Sequence, residues 1–532
     1  MDNLVEPNSK TILHRWTGWT AKLLQPSRSM LPMWIFCTVL ALTFLLIGST
    51  SSPLFPFNGW VDSNAFMTMG KGMMKGLVPY RDLFEQKGPL LYFIHGLASL
   101  FTPNSFTGIF VIEAVAFASF LYFSFKSMAL FIERKFALAI LPLLAFLIPN
   151  LISFSYGDSA EEFALPLLAY SLYVLLAYFK SGGKPLDAKA YFWNGLIAGC
   201  ILWTKFTFIG FWLGWTIAIF VCEVASKRFL AVLKGGVIFL GGMAAATIPW
   251  VIYFGLNHAI YDWIHTYLYI NLTLYPFAAS FAGRWFYVLQ ILASQFLLDP
   301  AFAFLLWLGI ISTIVFKRLI PSRLHRVLLA GCCLLLLFSV FGGGRAYIYY
   351  YLILSPLIIF GLMALFDGMS QKHRDEFSIR SAAIAIIATL LITVPLTLKF
   401  GQNSTALGSD KQSLVQFKFA AVINQTKNPT LLNYGSLDMG FYLAARVMPD
   451  VKYFELQNLK YSNYPLNIDE QNRYVREGVT DYVVFRISPK KDLADVNSSV
   501  LNQKYQLAAS DQQIYDGVLY TYYLYKRIGL SD

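Results

Sequence analysis

Apolar runs of near-membrane length recur from residue 32 to residue 399, and nothing else in the chain restricts its fold as much. Several approach the ~20 residues that a helix needs to cross a ~30 Å hydrocarbon core. Only 14% of the 532 residues are charged and 57% are hydrophobic, whereas about a quarter of a soluble chain is charged. The runs predict an all-α polytopic membrane domain over 32–399 with about eleven transmembrane helices. Residues 400–532 are instead polar, rich in Asn, Gln, Asp and Tyr, and hold no run long enough to span. They predict a small soluble α/β domain, with strand-like composition at 430–434, 451–456, 481–486 and 518–525 and a helix at 437–447 after a Gly-Ser turn.

The formal charge is +12, but Lys and Arg gather in short loops between the apolar runs rather than in one stripe. That distribution argues against nucleic acid and marks cytoplasmic loops. Residues 1–31 carry Lys10, Arg15, Lys22 and Arg28 before the first run, with no clear small-residue cleavage site after it. They read as a cytoplasmic segment ahead of an anchor. The segment 89–101 holds thirteen residues and would reach only ~20 Å as a helix. Laid at the outer interface, it leaves spans near 32–48, 106–125, 136–150, 163–179, 191–203, 206–222, 230–254, 300–316, 327–341, 347–366 and 380–399. Lys126, Arg134 and Lys135 then fall inside, as do the clusters at 180–189, 227–228, 317–326 and 372–380. The loops 49–105, 151–162 and 255–298 and the C-terminal domain fall outside. All five cysteines lie in or at the ends of apolar spans, so neither a disulfide framework nor a Cys metal site is expected.

Within the first outer loop, Phe66, Met69, Met73 and Leu77 recur at helical spacing while Lys71 and Lys75 turn away. That pattern predicts an amphipathic helix over 62–77 lying on the membrane, joined by a polar turn to a second interfacial helix at 89–101. The loop reads Asp62-Ser63-Asn64-Ala65-Phe66, then Gly76-Leu77-Val78-Pro79-Tyr80-Arg81-Asp82, then Lys87-Gly88-Pro89-Leu90-Leu91-Tyr92. In this order and spacing it resembles the first outer loop of the GT-C glycosyltransferases. Within that fold it is most similar to bacterial relatives of the protein O-mannosyltransferases (glycosyltransferase family 39) and to the aminoarabinose transferases of lipid A. The resemblance implies a sugar taken from a polyprenyl-phosphate carrier, an aspartate base at Asp62 and a phosphate partner at Lys87. Two positions depart from the family pattern. Ser63 stands where a second acid is common, and Lys87-Gly88-Pro89 replaces Lys-Pro-Pro.

The residues also have readings of their own. An inverting transfer needs a carboxylate to accept the proton of the incoming hydroxyl and fixed positive charge for the leaving phosphate. Asp62 suits that role, but a short acidic side chain at a helix start is equally an N-cap. Lys87 and Arg81 are candidate phosphate partners, against the ordinary binding of lipid headgroups by interfacial cations. Asp82 offers Arg81 a partner. His95, alone in an apolar helix, reads first as a hydrogen-bonded structural histidine and second as a substrate contact. Asp158, Glu161 and Glu162 reach the same side as Asp62 and would position substrate, although Ser159-x-x-Glu162 also fits a capping box. A divalent metal at these acids is possible by charge but unsupported by histidine spacing, so no cofactor is expected.

Lys205 and Arg345 sit within or at the ends of apolar spans, where an ionised group costs about 2.5–3.5 kcal/mol at the helix centre. Both are candidates for the donor phosphate, with snorkelling to the interface the alternative for Lys205. Tyr349, in the run after Arg345, is first an aromatic-belt residue and second a sugar platform. No Walker or dinucleotide loop is present, since Gly342-Gly343-Gly344 lacks its context, and no Asp-x-Asp occurs. A donor delivered from the lipid phase therefore fits better than a nucleotide sugar. The expected partners are that donor, an extracytoplasmic glycan or glycolipid acceptor and the bilayer. A flippase of lipid-linked saccharides and a non-catalytic scaffold are the rival readings.

Overall fold

The computed structural model describes residues 30–277, 280–315, 319–372, 376–489 and 498–530. Lys10, Arg15, Lys22, Arg28, Lys317, Arg318 and Arg374 lie outside these residues.

Each expected span falls on a helical element. Among the described residues, eight helices are long and apolar enough to cross a membrane, or nine if a pair bent by 115° at 298–300 is one span. The stretch Ala188–Ala225 enters that number once, yet it doubles back. Gly195 meets the backbone of Phe239 and Gly199 that of Met243, so helices Ala188–Lys205 and Phe229–Leu256 run parallel. The intervening Gly210–Ala225 must return between them. Small residues at 195, 199 and 242 allow this close approach where lipid supplies no hydrophobic drive for helix association. The expected spans at 136–150 and 300–316 are Arg134–Leu147 and Pro300–Val315, shorter than an ordinary crossing. Much of 255–298, read as a loop, is helical: Ile260–Trp263 continues as a π-helix Ile264–Leu274, and Phe281–Leu298 follows.

The first loop folds as two helices, Val61–Met74 and Pro89–Phe101. They touch at Gly70, where an added Cβ would lie 2.4 Å from the Gly96 nitrogen. Phe66 and Met69 are fully buried in protein, and Lys71 is buried beneath the C-terminal domain rather than turned to water. Helical periodicity identifies the covered face without showing what covers it.

The C-terminal domain holds a four-stranded sheet in the order β1-β2-β4-β3. β1 (Leu431–Asn433) pairs parallel to β2 (Tyr482–Ile487), while β4 (Val518–Arg527) is antiparallel to β2 and to β3 (Tyr505–Tyr515). The strand expected at 451–456 is irregular, and 437–447 contributes only the short helix Phe441–Ala445. Tyr453 and Phe454 are buried there, so the apolar signal came from core packing rather than from a ladder. The domain clamps the first loop: Thr68 Oγ1 donates to Asp438 at 2.6 Å and Phe84 N to Lys452 O at 2.9 Å. A tip contact adds Tyr156 OH donating to Asp516 at 2.6 Å.

Candidate active site

Asp62 lies in the first turn of its helix, but the N-cap is Trp60 and no side chain caps the end. The carboxylate is thus free for other partners. Its Oδ2 accepts from Lys87 Nζ at 3.4 Å and from Tyr349 OH at 3.2 Å. Of the two readings open in the sequence, capping is the one the geometry removes.

Lys87 is held by the polar turn before it. Tyr80 takes φ of 71°, is fully buried, and donates its hydroxyl to Lys87 O at 2.6 Å. Glu85 accepts from Lys87 N at 2.7 Å and is gripped by the Tyr92 hydroxyl. Gly88 N donates to Thr204 O at 3.1 Å, and a Cβ on Gly88 would fall 2.1 Å from Trp203 O. The Gly88 departure from the family pattern therefore has a use: the turn lies directly on the end of helix Ala188–Lys205. Burial works against the Lys87 ammonium, but the Asp62 and Glu85 carboxylates beside it more than offset that and raise its pKa above the ordinary lysine value.

Lys205 stands where that helix breaks, with extended backbone at φ −155° and ψ 97°. The broken ladder is repaired by one hydroxyl: Tyr267 OH accepts from Phe206 N at 2.9 Å and donates to Leu202 O at 2.6 Å. Lys205 Nζ pairs with the fully buried Glu161 at 2.5 Å and sits 3.6 Å from the Tyr350 ring centroid. An ammonium inside an apolar bundle is thereby offset by one carboxylate and an aromatic face.

These groups wall an inner cavity of about 80 Å³ that includes Asp62, Lys87, Lys205, Tyr349 and Tyr350. Gln86 and Thr207 also line it, and Gln86 Nε2 and Thr207 Oγ1 are buried without a hydrogen-bond partner. Buried polar groups are nearly always paired. Two ammonium groups and two unused polar groups around one space suit an oxyanion. Asp62 and Tyr349 also line a second, outer cavity of about 800 Å³, walled by Trp60, Tyr156, Tyr347 and residues 514–517 of the C-terminal domain. Asp62 thus belongs to the wall between a cation-lined pocket and a larger open one.

The remaining candidates lie elsewhere. Arg81 and Asp82 form a half-exposed ion pair at 2.8 Å that fastens the turn through Asn257 O and Val78 N; neither lines these cavities. Their adjacency in the chain settles the pairing. His95 and Asp158, both fully buried, meet at 2.8 Å, and Asp158 N donates to Glu113 and Glu162 at 2.7 and 2.9 Å. That cluster crosslinks three helices away from the cavity walls. Ser159 does cap its helix, accepting from Glu162 N at 3.1 Å. Only Glu161 of the acidic loop approaches the site, behind Lys205. The Arg345 guanidinium is spent on Tyr275 O at 3.1 Å, Asn458 O at 3.3 Å and the Tyr275 ring; it braces residues of the cavity walls rather than lining them. Gln86, Thr207 and Asn458 went unnoticed in the sequence, where neutral polar residues give no signal, although Gln86 lies inside the quoted motif's gap.

The chain superposes on ArnT from Cupriavidus metallidurans bound to undecaprenyl phosphate with a TM-score of 0.56 and 13% identity, covering 94% of this chain and 99% of that one. The apo form of the same protein gives 0.56 and 13%, covering 93% and 98%. It has the GT-C fold of ArnT. At 94% coverage the likeness extends over both the helical bundle and the C-terminal domain. No family model and no curated protein matches the sequence. As in ArnT's fold class, the chain is a multi-pass membrane protein.

Proposed function

We propose that the chain is an inverting glycosyltransferase that moves a hexose-type sugar from polyprenyl phosphate to an acceptor hydroxyl on the outer side of the membrane. One observation supports this above the rest: Asp62 stands in the wall shared by a pocket lined with cations and a larger cavity open toward the C-terminal domain. The donor phosphate occupies the inner pocket, held by Lys87 and Lys205 with hydrogen bonds from Gln86 Nε2 and the Thr207 hydroxyl. The acceptor enters from the outer cavity. Its oxygen bonds to the anomeric carbon as the bond from that carbon to the phosphate oxygen breaks, and its proton passes to Asp62. The phosphate leaves with its charge met by the two ammonium groups, so no acid is required. Tyr349, donating to Asp62, fixes the carboxylate and lines both spaces. That ArnT has been captured with undecaprenyl phosphate accords with a polyprenyl carrier.

Transfer of labelled sugar from a polyprenyl-phosphate donor to acceptor in reconstituted membranes tests the reading. Asp62→Asn should reduce transfer about 10²–10⁴-fold with fold and expression preserved. Retention of more than about a tenth of wild-type transfer would remove Asp62 as the base. Movement of the lipid-linked sugar across the bilayer without covalent transfer would favour a flippase.

A further inference from the structure

A third cavity, of about 450 Å³, opens in the C-terminal domain beside the two already described. It lies beyond the end of β1 and along the last residues of β2, between the turn at 434–437 and residues 485–488. The carboxyl ends of parallel strands are where open α/β sheets habitually bind ligands. Tyr434 and Tyr520 line the space, whereas the Phe485 ring lies on the other face of the sheet from Arg486, stacked on Tyr523 and Tyr525. Leu437 and Asn458 line this groove, the inner pocket and the outer cavity alike, so the three spaces meet at those residues.

Arg486 is the charged residue of the groove. Its guanidinium lies 4.4 Å from the Tyr515 ring and 4.5 Å from the Tyr520 ring, and among the described residues its one hydrogen bond is a long 3.4 Å contact to Tyr522 OH. Among the described residues no carboxylate pairs with it, whereas Arg81, Arg228 and Arg527 each have one and Arg473 has two. A guanidinium flattened between two rings keeps its donor fork fixed and available for a planar or tetrahedral anion. Aromatic walls with a single fixed charge are the make-up of a specific small-molecule site.

We infer that the groove at Tyr434, Arg486 and Tyr520 binds an acidic saccharide, with Arg486 on its carboxylate or phosphate, and that this saccharide is part of the acceptor reaching Asp62. The second half rests on the transferase reading; the binding itself does not. Arg486 grips the anion while the rings face the sugar, and the junction at Leu437 and Asn458 leads the next residue of the glycan toward Asp62.

Binding to the purified full chain, without any polyprenyl donor, tests the subsite independently of transfer. The probes are trigalacturonate, its methyl ester and mannose 6-phosphate. The wild type should prefer at least one acid probe to the neutral ester, and which acid is preferred identifies carboxylate or phosphate. Arg486→Met should weaken that binding about tenfold or more. Ser488→Glu, which sets a like charge on the groove wall without altering the Tyr515 and Tyr520 stack, should do the same if Arg486→Met fails to fold. Equal binding of acid and ester, no binding of either acid, or binding by the variants within twofold of wild type would overturn the inference. Failure of transfer with acid-dependent binding intact would instead reject only the link to Asp62.

Discussion

At the scale of single residues, the site turns on two lysines that differ in what they hold. Lys87 answers Asp62 and Glu85 across 3.4 and 3.9 Å, so Lys87→Met leaves two carboxylates crowded together and should weaken donor binding and transfer alike. Lys205 answers one fully buried carboxylate. Lys205→Met strands Glu161 and is expected to cost about 3–5 kcal/mol of stability. Adding Glu161→Leu should recover most of that loss in a thermal melt. Donor binding should stay weak in the double variant, because the cation proposed to meet the phosphate is still missing. Recovery of both together would place Lys205 in structure alone.

Among the elements, the decisive contact is between the turn before helix Pro89–Phe101 and the broken end of helix Ala188–Lys205. Gly88 allows the approach, and Gly88→Ala would set a Cβ against the Trp203 carbonyl. The turn must then retreat by about 1 Å, a displacement that costs on the order of 10²-fold in rate where reacting groups are aligned. Transfer should fall by that much while the apolar bundle, measured by melting, changes far less. Tyr267 has a comparable place at the helix break. Tyr267→Phe removes the hydroxyl that serves both Phe206 N and Leu202 O and is expected to destabilise by about 1–3 kcal/mol, visible as faster hydrogen exchange around 202–206.

For the molecule as a whole, the C-terminal domain closes the site, and a buried acid at the seam makes the closure depend on pH. Burial pushes the Asp438 pKa up to about 6, against hydrogen bonds from Thr68 and Gly440 N and the nearby Lys71. Glu455, whose carboxylate accepts from Asp438 N, is raised by burial in the same sense. On the other side of the seam burial lowers Lys71 to about 8, with Lys75 and Arg446 adding to the shift and Asp438 opposing it. A carboxyl raised in the folded state adds stability that is fully present below its unfolded pKa near 4 and is lost as pH rises through 6. A lysine lowered in the folded state adds stability only as pH climbs past 8. The seam should therefore be weakest between about pH 6 and pH 8, read as proteolysis between the two parts. Asp438→Asn should erase the acidic limb; an unchanged profile would assign it to Glu455 instead.

How much of this was legible in the sequence follows from what each signal measures. Apolar run length fixes helices because the bilayer leaves the backbone no other partner, and so the bundle, the short helix Pro89–Phe101 and the separate polar domain were all readable. That Asp62 and Lys87 share a site was readable because they sit in one ordered loop, and the structure sets them 3.4 Å apart. Composition alone could not distinguish the buried core at 453–454 from a strand, nor reveal that Lys71 is covered by another domain. Arg81, Asp158 and His95 looked as chemical as Lys205, and only the tertiary packing set them away from the cavity walls while placing Lys205, paired with Glu161, at one of them. The meeting of Asp62 with Tyr349, and of Gln86 with Thr207, joins residues far apart in the chain. Such contacts depend on where helices break and cross, which the many packed side chains decide together and no local pattern records.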